Sequence, residues 1–193
     1  MSDLVFKTRD ALVELKNKVE LMLDLAYSAV MLHDEKIAKE VLKLEEYFDW
    51  LCTHFQLLVL SIFQEEGSKN EILGLIRFSV SLEAMADAAA RIAETVVRGL
   101  KTGYGLKVFS MVSEESEEFV SVAKISSKSR LAGKTLKETG IEEKLDIQIL
   151  AVRRRDKWYF DPPKDFKLEA GDVIIVRGYA EALDDIKREA YGD

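Results

Sequence analysis

Residues 34–63, DEKIAKEVLKLEEYFDWLCTHFQLLVLSIF, carry the clearest periodicity in the sequence. Their apolar side chains step alternately by four and three positions: Ile37, Val41, Leu44, Phe48, Leu51, Phe55, Leu58 and Ile62. A seven-residue repeat of this length predicts a long helix that packs lengthwise against other helices. Asp34 stands just before the first periodic residue, where an N-cap belongs.

The flanking segments have the same spacing. Upstream, the periodic residues are Leu12, Leu15, Val19, Met22, Ala26 and Ala29. Downstream, they are Ile72, Leu75, Ser79, Leu82, Ala86, Ala89, Ala93 and Val96. Ser68 and Glu71 have the spacing of a capping box at the start of the third helix. The pattern predicts three long antiparallel helices with tight links near His33 and Gly67.

The third of these helices is lined with small residues, chiefly Ala86, Ala89 and Ala93. Small side chains let a neighbouring helix approach closely. Together with the broad heptad faces, this alanine face exceeds what three helices are expected to bury within one chain. We therefore expect a homodimer formed through the helical domain, with an interface of more than roughly 2,000 Å².

The chain changes character near residue 99. Two glycines and no proline precede this position, whereas eight glycines and both prolines follow from it onwards. The second part is therefore predicted to consist of short elements joined by turns. Strands are expected at 107–112, 119–125, 147–152, 158–160 and 173–176, with a helical turn at 135–139 and an amphipathic helix at 180–190.

The predicted fold class is a long antiparallel three-helix bundle followed by a small α+β domain. The boundaries place the helical domain at 1–102, a linker at 103–106 and the α+β domain at 107–193.

Composition excludes several classes of protein. The 193 residues are 48% apolar and 33% charged with a net charge of −7, which is typical of a folded, mildly acidic protein and not of a nucleic-acid binder. The longest unbroken apolar runs, among them 57–60, have only four residues and are too short to span a membrane. Charges close to the N-terminus argue against a secretory signal, and the single cysteine, Cys52, excludes an intramolecular disulfide. We expect a cytoplasmic protein.

Two acid pairs recur with helical spacing. Glu45 and Asp49 lie four residues apart on the second helix, and Glu83 and Asp87 do so on the third. Each pair projects from one helix face, so four carboxylates of neighbouring helices could hold a divalent or trivalent cation through oxygen. The alternative is a solvated acidic stripe. No Glu-x-x-His motif accompanies the pairs, which argues against a redox di-iron site.

No catalytic residue is predicted. Cys52 and His54 are two positions apart on a helix and point to different faces, so they do not form a ligand pair. A nucleophile elbow and a Gly-x-Gly-x-x-Gly phosphate loop are both absent from the sequence. The sequence therefore predicts neither an enzyme nor a Rossmann cofactor site.

The second part resembles the C-terminal domain of TrkA-type regulators of potassium conductance, the RCK C-terminal domain. The residues that carry this resemblance are Leu131-Ala-Gly133-Lys134-Thr135-Leu136, Ile141, 149–154, Pro162, Leu168 and 171–178. Residues 8–100 resemble one three-helix repeat of PhoU-type proteins, through 42–49 and 82–94. TrkA-type regulators usually add a nucleotide-binding half and PhoU-type proteins a second repeat, neither of which this chain has.

The resemblance implies a non-catalytic regulatory subunit of a potassium or other cation transport system, with a membrane channel or transporter as its partner. PhoU-type proteins hold metal clusters on an acid motif that matches Glu45, Asp49, Glu83 and Asp87, so a phosphate-uptake regulator or a metal-binding protein is the alternative.

The RCK resemblance also implies a small ligand between two copies, near Ile141, Glu142, Gln148 and Ile149. Some of these domains bind cyclic di-AMP with an arginine and an asparagine where this chain has Glu142 and Gln148. A glutamate repels phosphate, so weak or no binding of that ligand is expected, with a gain of affinity on Glu142→Arg.

Overall fold

The computed structural model describes residues 3–63, 69–99 and 118–192. The chain forms two compact units, Met1–Leu100 and Lys101–Asp193. The predicted linker 103–106, the predicted strand 107–112 and the residues Gly67 and Ser68 all lie outside the described residues. The proposed domain boundaries therefore stay a prediction.

The first unit is built from three long helices: α1 (Asp3–Leu32), α2 (Glu35–Phe63) and α3 (Lys69–Val97). Each helix packs against the other two. The link between α1 and α2 is tight, because His33 adopts a left-handed backbone conformation with φ of 48°. The Asp34 carboxylate accepts the N–H groups of Lys36 at 2.9 Å and Ile37 at 3.3 Å, which confirms the predicted N-cap.

Burial along α2 follows the heptad pattern for most of the helix and departs from it near the end. Five periodic residues are buried: Ile37, Val41, Phe48, Leu51 and Phe55. Leu44 and Leu58 are only half-buried, and Val59, the neighbour of Leu58, is fully buried. A straight helix has 3.6 residues per turn and drifts relative to a strict 3.5-residue repeat, so the buried face moves round the helix.

The small residues of α3 are covered within a single chain. Ala86, Ala89 and Ala93 have no exposed surface. The expectation that this alanine face is left over for a second copy is therefore wrong. Because alanine projects so little from a helix, α1 and α2 approach α3 closely enough to cover the whole stripe. The exposed apolar side chains lie elsewhere, for example Trp50 and Leu57, each 58% exposed.

Enlarging this face should disrupt the bundle itself. We expect Ala89→Leu to lower the free energy of unfolding by about 1–3 kcal/mol, because extra methylenes have no room in a well-packed core. Ala88, the exposed neighbour, is the matched control, and Ala88→Leu should leave stability unchanged. Urea denaturation followed by circular dichroism measures both variants. Equal stability of the two would contradict the packing described here.

The second unit contains a four-stranded antiparallel sheet with the strand order β1-β4-β2-β3. The strands are β1 (Glu118–Lys124), β2 (Gln148–Arg154), β3 (Lys157–Phe160) and β4 (Val173–Tyr179). The helices are α4 (Leu136–Thr139), α5 (Ile141–Leu145) and α6 (Ala180–Tyr191). α6 packs on β1 and β4, so the sheet's apolar face is covered by the terminal helix. These elements confirm the predicted fold class.

The short helix α4 begins and ends at residues that cap it. The Thr135 hydroxyl accepts the N–H of Glu138, and the Glu138 carboxylate accepts the N–H of Thr135, which is a complete capping box. Gly140 ends the helix in the left-handed region, with φ of 55°. α5 then starts immediately, and the sequence analysis missed it because five residues are too few to show a helical period.

One buried ion pair fixes the loop before β4 to the end of β2. The Asp172 carboxylate is 1% exposed. It accepts hydrogen bonds from the Nε of Arg154 at 2.9 Å and from the Nη2 at 2.8 Å. It also accepts the N–H of Glu169 at 2.8 Å, while Arg154 reaches the Glu169 carboxylate and the Lys167 carbonyl. A two-pronged guanidinium–carboxylate contact of this kind is both strong and directional.

Removing the guanidinium should destabilise the second unit. Arg154→Ala leaves the buried Asp172 carboxylate without its counter-charge, and we expect a loss of about 3–5 kcal/mol. Lys164→Ala is the control, because the Lys164–Glu143 pair is exposed at both ends and should not affect stability. Thermal unfolding of the two variants distinguishes the cases. A loss confined to Lys164→Ala would contradict the assignment.

Candidate functional site

Polar contacts between α2 and α3 set the register of these two helices. The Gln56 amide donates to the Ser79 hydroxyl at 3.2 Å, and the Cys52 thiol donates to the Ser79 carbonyl at 3.9 Å. Nearer the start of α2, Glu45 meets Asp87 of α3. Positions late in α2 therefore face positions early in α3, so the helices are antiparallel, as predicted. This alignment brings the two acid pairs together.

Three carboxylates form the centre of the acid cluster. Oxygen atoms of Glu45, Asp49 and Asp87 all lie within 4.8 Å of one another. Glu45 and Asp87 are half-buried and Asp49 is exposed. Glu83 is half-buried beside them and close enough to Asp49 and Asp87 for their charges to act on it. The four acids predicted from the sequence thus lie side by side.

The cluster carries repulsion that the surrounding protein does not offset. Burial raises the pKa of Glu45, and the charges of Asp49 and Asp87 raise it further. Burial likewise raises the pKa of Glu83, with Asp49 and Asp87 adding to it. Within the ranges that the structure describes, no lysine or arginine forms an ion pair with these four acids. The donor set, closely spaced carboxylate oxygens with an uncompensated charge, fits a hard or borderline cation.

Cys52 and His54 contribute no ligand to this cluster. Burial raises the pKa of the Cys52 thiol to about 12, and the charges of Glu83 and Asp49 add to the effect. A thiol in this state is a poor metal ligand and a poor nucleophile. His54 lies on the opposite, exposed side of α2, where its ring stacks on Trp50 at 5.3 Å between centroids. The two side chains lie on different faces of α2, as their spacing predicted.

Two of the four ligand residues predicted in the second unit line cavities, and these cavities are separate. Ile141 is buried and lines a cavity of about 240 Å³, whereas Gln148 lines a separate cavity of about 180 Å³ beside Arg177. Gln148 accepts a hydrogen bond from the Arg177 guanidinium at 3.0 Å. Within one chain, therefore, the four residues do not share a single cavity.

Glu142 has a structural contact that the sequence analysis did not foresee. Its carboxylate accepts the N–H of Ile149 at 3.0 Å and so secures the first residues of β2. Ile149 is buried, and the following residue is the site of a register shift in the β2–β4 pairing. The sequence analysis also gave no role to the arginine and lysines that line the cavity near Ile141. Arg130 and Lys134 stand in loops and Lys144 in the short helix α5, so no periodicity related the three to one another.

Family models match both units. The PhoU domain model matches residues 12–96, and the TrkA-C domain model matches residues 120–190. The chain joins a PhoU domain to a TrkA-C domain. TrkA-C domains are regulatory domains and typically non-catalytic. In the ranges that the structure describes, none of the helices combines the length and apolar character needed to cross a membrane.

Two curated relatives come from transport systems. Potassium channel protein 1 of Methanocaldococcus jannaschii is 36% identical over 85 residues, covering 44% of this chain and 25% of that protein. An uncharacterized transporter of Synechocystis is 32% identical over 117 residues, covering 61% of this chain and 18% of that protein. The chain therefore spans a quarter or less of the length of these relatives.

Solved structures include similar domains. The RCK_C domain dimer of S. agalactiae BusR in complex with c-di-AMP is 21% identical, covers 36% of this chain and 92% of that chain, and has a TM-score of 0.35. At that TM-score the likeness carries no argument about function.

The acid cluster should give the metal-free PhoU domain an unusual pH dependence. Because the folded state raises the pKa of Glu45 and Glu83 above their ordinary 4.5, these groups bind protons more tightly in the folded than in the unfolded chain. Their contribution to stability is therefore unfavourable at pH 7 and diminishes as the pH falls toward 4.5.

Thermal unfolding in EDTA tests this sign. The double variant Glu45→Gln/Glu83→Gln should have a higher Tm than the wild type at pH 7.5, and the difference should shrink as the pH is lowered. Glu71→Gln, at an exposed position on α3 outside the cluster, is the control. Its Tm should not exceed that of the wild type at pH 7.5 by an amount that decreases as the pH is lowered. A double variant less stable than the wild type at pH 7.5 would contradict the uncompensated repulsion.

Proposed function

We propose that this chain is a non-catalytic regulatory subunit of a potassium transport system, cytoplasmic and held near the membrane by a channel or transporter partner. The observation that carries the proposal is the TrkA-C domain at 120–190 together with a potassium channel protein among the relatives. The −7 net charge and the acidic cluster also favour a protein partner over nucleic acid.

The proposed action is a two-state coupling. Two copies form a homodimer, and a small ligand bound between their TrkA-C domains stabilises one arrangement of the pair. A ligand shifts such an equilibrium only by its difference in affinity for the two arrangements. The partner then responds to the arrangement, and no covalent step is required of this chain.

The ligand at the cleft between copies is proposed to be small and neutral or cationic. Gln148 is an exposed amide, and the Glu142 carboxylate lies at the start of the same strand. A carboxylate here disfavours a dianionic nucleotide such as cyclic di-AMP. Glu142→Arg would add the favourable charge but lose the acceptor for the Ile149 N–H. Glu142→Gln keeps an acceptor oxygen and removes only the charge, so it isolates the electrostatic effect.

Uptake measurements in a strain that lacks this chain test the regulatory proposal. We expect rubidium uptake, a tracer for potassium, to change while phosphate uptake does not. Complementation with Lys164→Ala should restore the wild-type rate, whereas Arg154→Ala, which destabilises the TrkA-C domain, should fail. A change in phosphate uptake alone would favour the PhoU-type alternative, and no change in either would contradict both.

The acid cluster favours a second candidate function, binding of a divalent or trivalent cation. Glu45, Asp49 and Asp87 would hold the ion, with Glu83 beside them. A bound cation would neutralise the repulsion among these acids and link α2 to α3. We expect Mn²⁺ to raise the Tm of the wild type and not that of Glu45→Gln/Asp87→Asn. An equal shift in both proteins would support the solvated-stripe interpretation.

A further inference from the structure

A cavity of about 240 Å³ lies in the TrkA-C domain, between the loop that follows β1, the α4–α5 turn and the end of α6. Its apolar lining includes Leu131 and Ile141, both buried. Its charged lining consists of Arg130, Lys134, Lys144 and Glu189. Three cations and one carboxylate around an apolar floor give the cavity an excess of positive charge in a chain whose net charge is −7.

Among the described residues, the three cations form no ion pair within 4.0 Å. Lys134 does lie near Glu138: hydrogen bonds with Thr135 lower the pKa of that carboxyl, and the charge of Lys134 lowers it further. Lys144 instead donates to the Thr139 carbonyl at 3.4 Å, which holds its ammonium group at the cavity wall. Cations that line one cavity and form no ion pair retain their capacity to bind an anion.

Hydrogen bonds make the cavity wall rigid. The Ser129 hydroxyl donates to the Glu189 carbonyl at 2.7 Å and accepts the N–H of Leu131 at 3.1 Å. On the other side, Gly133 donates to the Leu168 carbonyl and Leu168 donates to the Lys134 carbonyl, both at 2.8 Å. The backbone that carries Arg130 and Lys134 is therefore fixed before any ligand arrives, which lowers the entropy lost on binding.

We propose that this cavity binds a small phosphate monoester. Its phosphate would meet the three cations, its carbon part would lie on Leu131 and Ile141, and a hydroxyl on that part would donate to the Glu189 carboxylate. The cavity volume, about 240 Å³, suits a monoester of a few carbons. This inference goes beyond the proposed function, because the cavity belongs to one chain and needs neither a second copy nor a channel.

Calorimetry and amide NMR on the full chain test the proposal, with glycerol 3-phosphate, inorganic phosphate and neutral glycerol as probes. Glycerol 3-phosphate should bind saturably, more tightly than inorganic phosphate, and shift the amides of Leu131 and Ile141; glycerol should do neither. Lys134→Glu should lower the affinity for glycerol 3-phosphate by about tenfold or more, because the reversed charge repels the phosphate instead of attracting it. Lys124→Glu makes the same charge change on β1 outside the cavity and should have little effect.

A variant with the opposite sign separates a built site from general attraction. Glu189→Gln removes the one negative group of the lining. It should increase the affinity for inorganic phosphate, because phosphate is repelled by the carboxylate and has no carbon-bound hydroxyl to donate to it. Binding that Lys134→Glu and Lys124→Glu weaken equally would overturn the proposal, as would a lack of saturation by glycerol 3-phosphate at millimolar concentration. Unchanged rubidium uptake would bear only on the proposed transport role, so the two failures are distinguishable.

Discussion

The close antiparallel alignment of α2 and α3 is the constraint from which the PhoU domain takes its properties. Alanines with no exposed surface line α3 and permit the approach, while the Gln56–Ser79 hydrogen bond sets the axial register. Once those two conditions are met, acid pairs four residues apart on each helix have to face one another. The repulsion between Glu45, Asp49 and Asp87 is thus a consequence of packing that the apolar core supports, and burial makes it worse.

The two units differ in whether their buried or half-buried carboxylates have a cationic partner. Asp172 in the TrkA-C domain is almost fully buried, yet Arg154 neutralises it through two hydrogen bonds, and a backbone N–H adds a third. That arrangement is complete and leaves no capacity to bind anything further. The acids of the PhoU domain are less buried but lack cationic partners among the described residues, so they retain that capacity. The difference separates a structural carboxylate from a candidate ligand.

Periodicity was enough to predict the three long helices and the acid pairs, because these follow from a repeat that a one-dimensional pattern preserves, while short apolar runs bounded by turn residues predicted the buried strands. Periodicity did not show whether the apolar face of a helix is buried by its own chain or by a second copy of the chain. Ala89 has the same spacing whether its partner lies in the same chain or in a second one, and here its own chain covers it. Glu142 shows another limit, since its contact with the Ile149 N–H spans seven residues and depends on the turn between α5 and β2. The cavity near Ile141 was not predicted either, because its cations come from separate segments that only the folded chain brings together.

The order of the strands has a consequence for synthesis on the ribosome. β1 pairs with β4 from Glu118 opposite Tyr179 onwards, and the Ser126 hydroxyl donates to the Tyr191 carbonyl at the end of α6. The pairing of β1 with β4 therefore cannot form until β4, the last strand of the sheet, has left the exit tunnel. The PhoU domain depends on contacts between successive helices and can fold while the rest is still being translated. A vectorial folding order follows, in which the acid cluster exists before the sheet does.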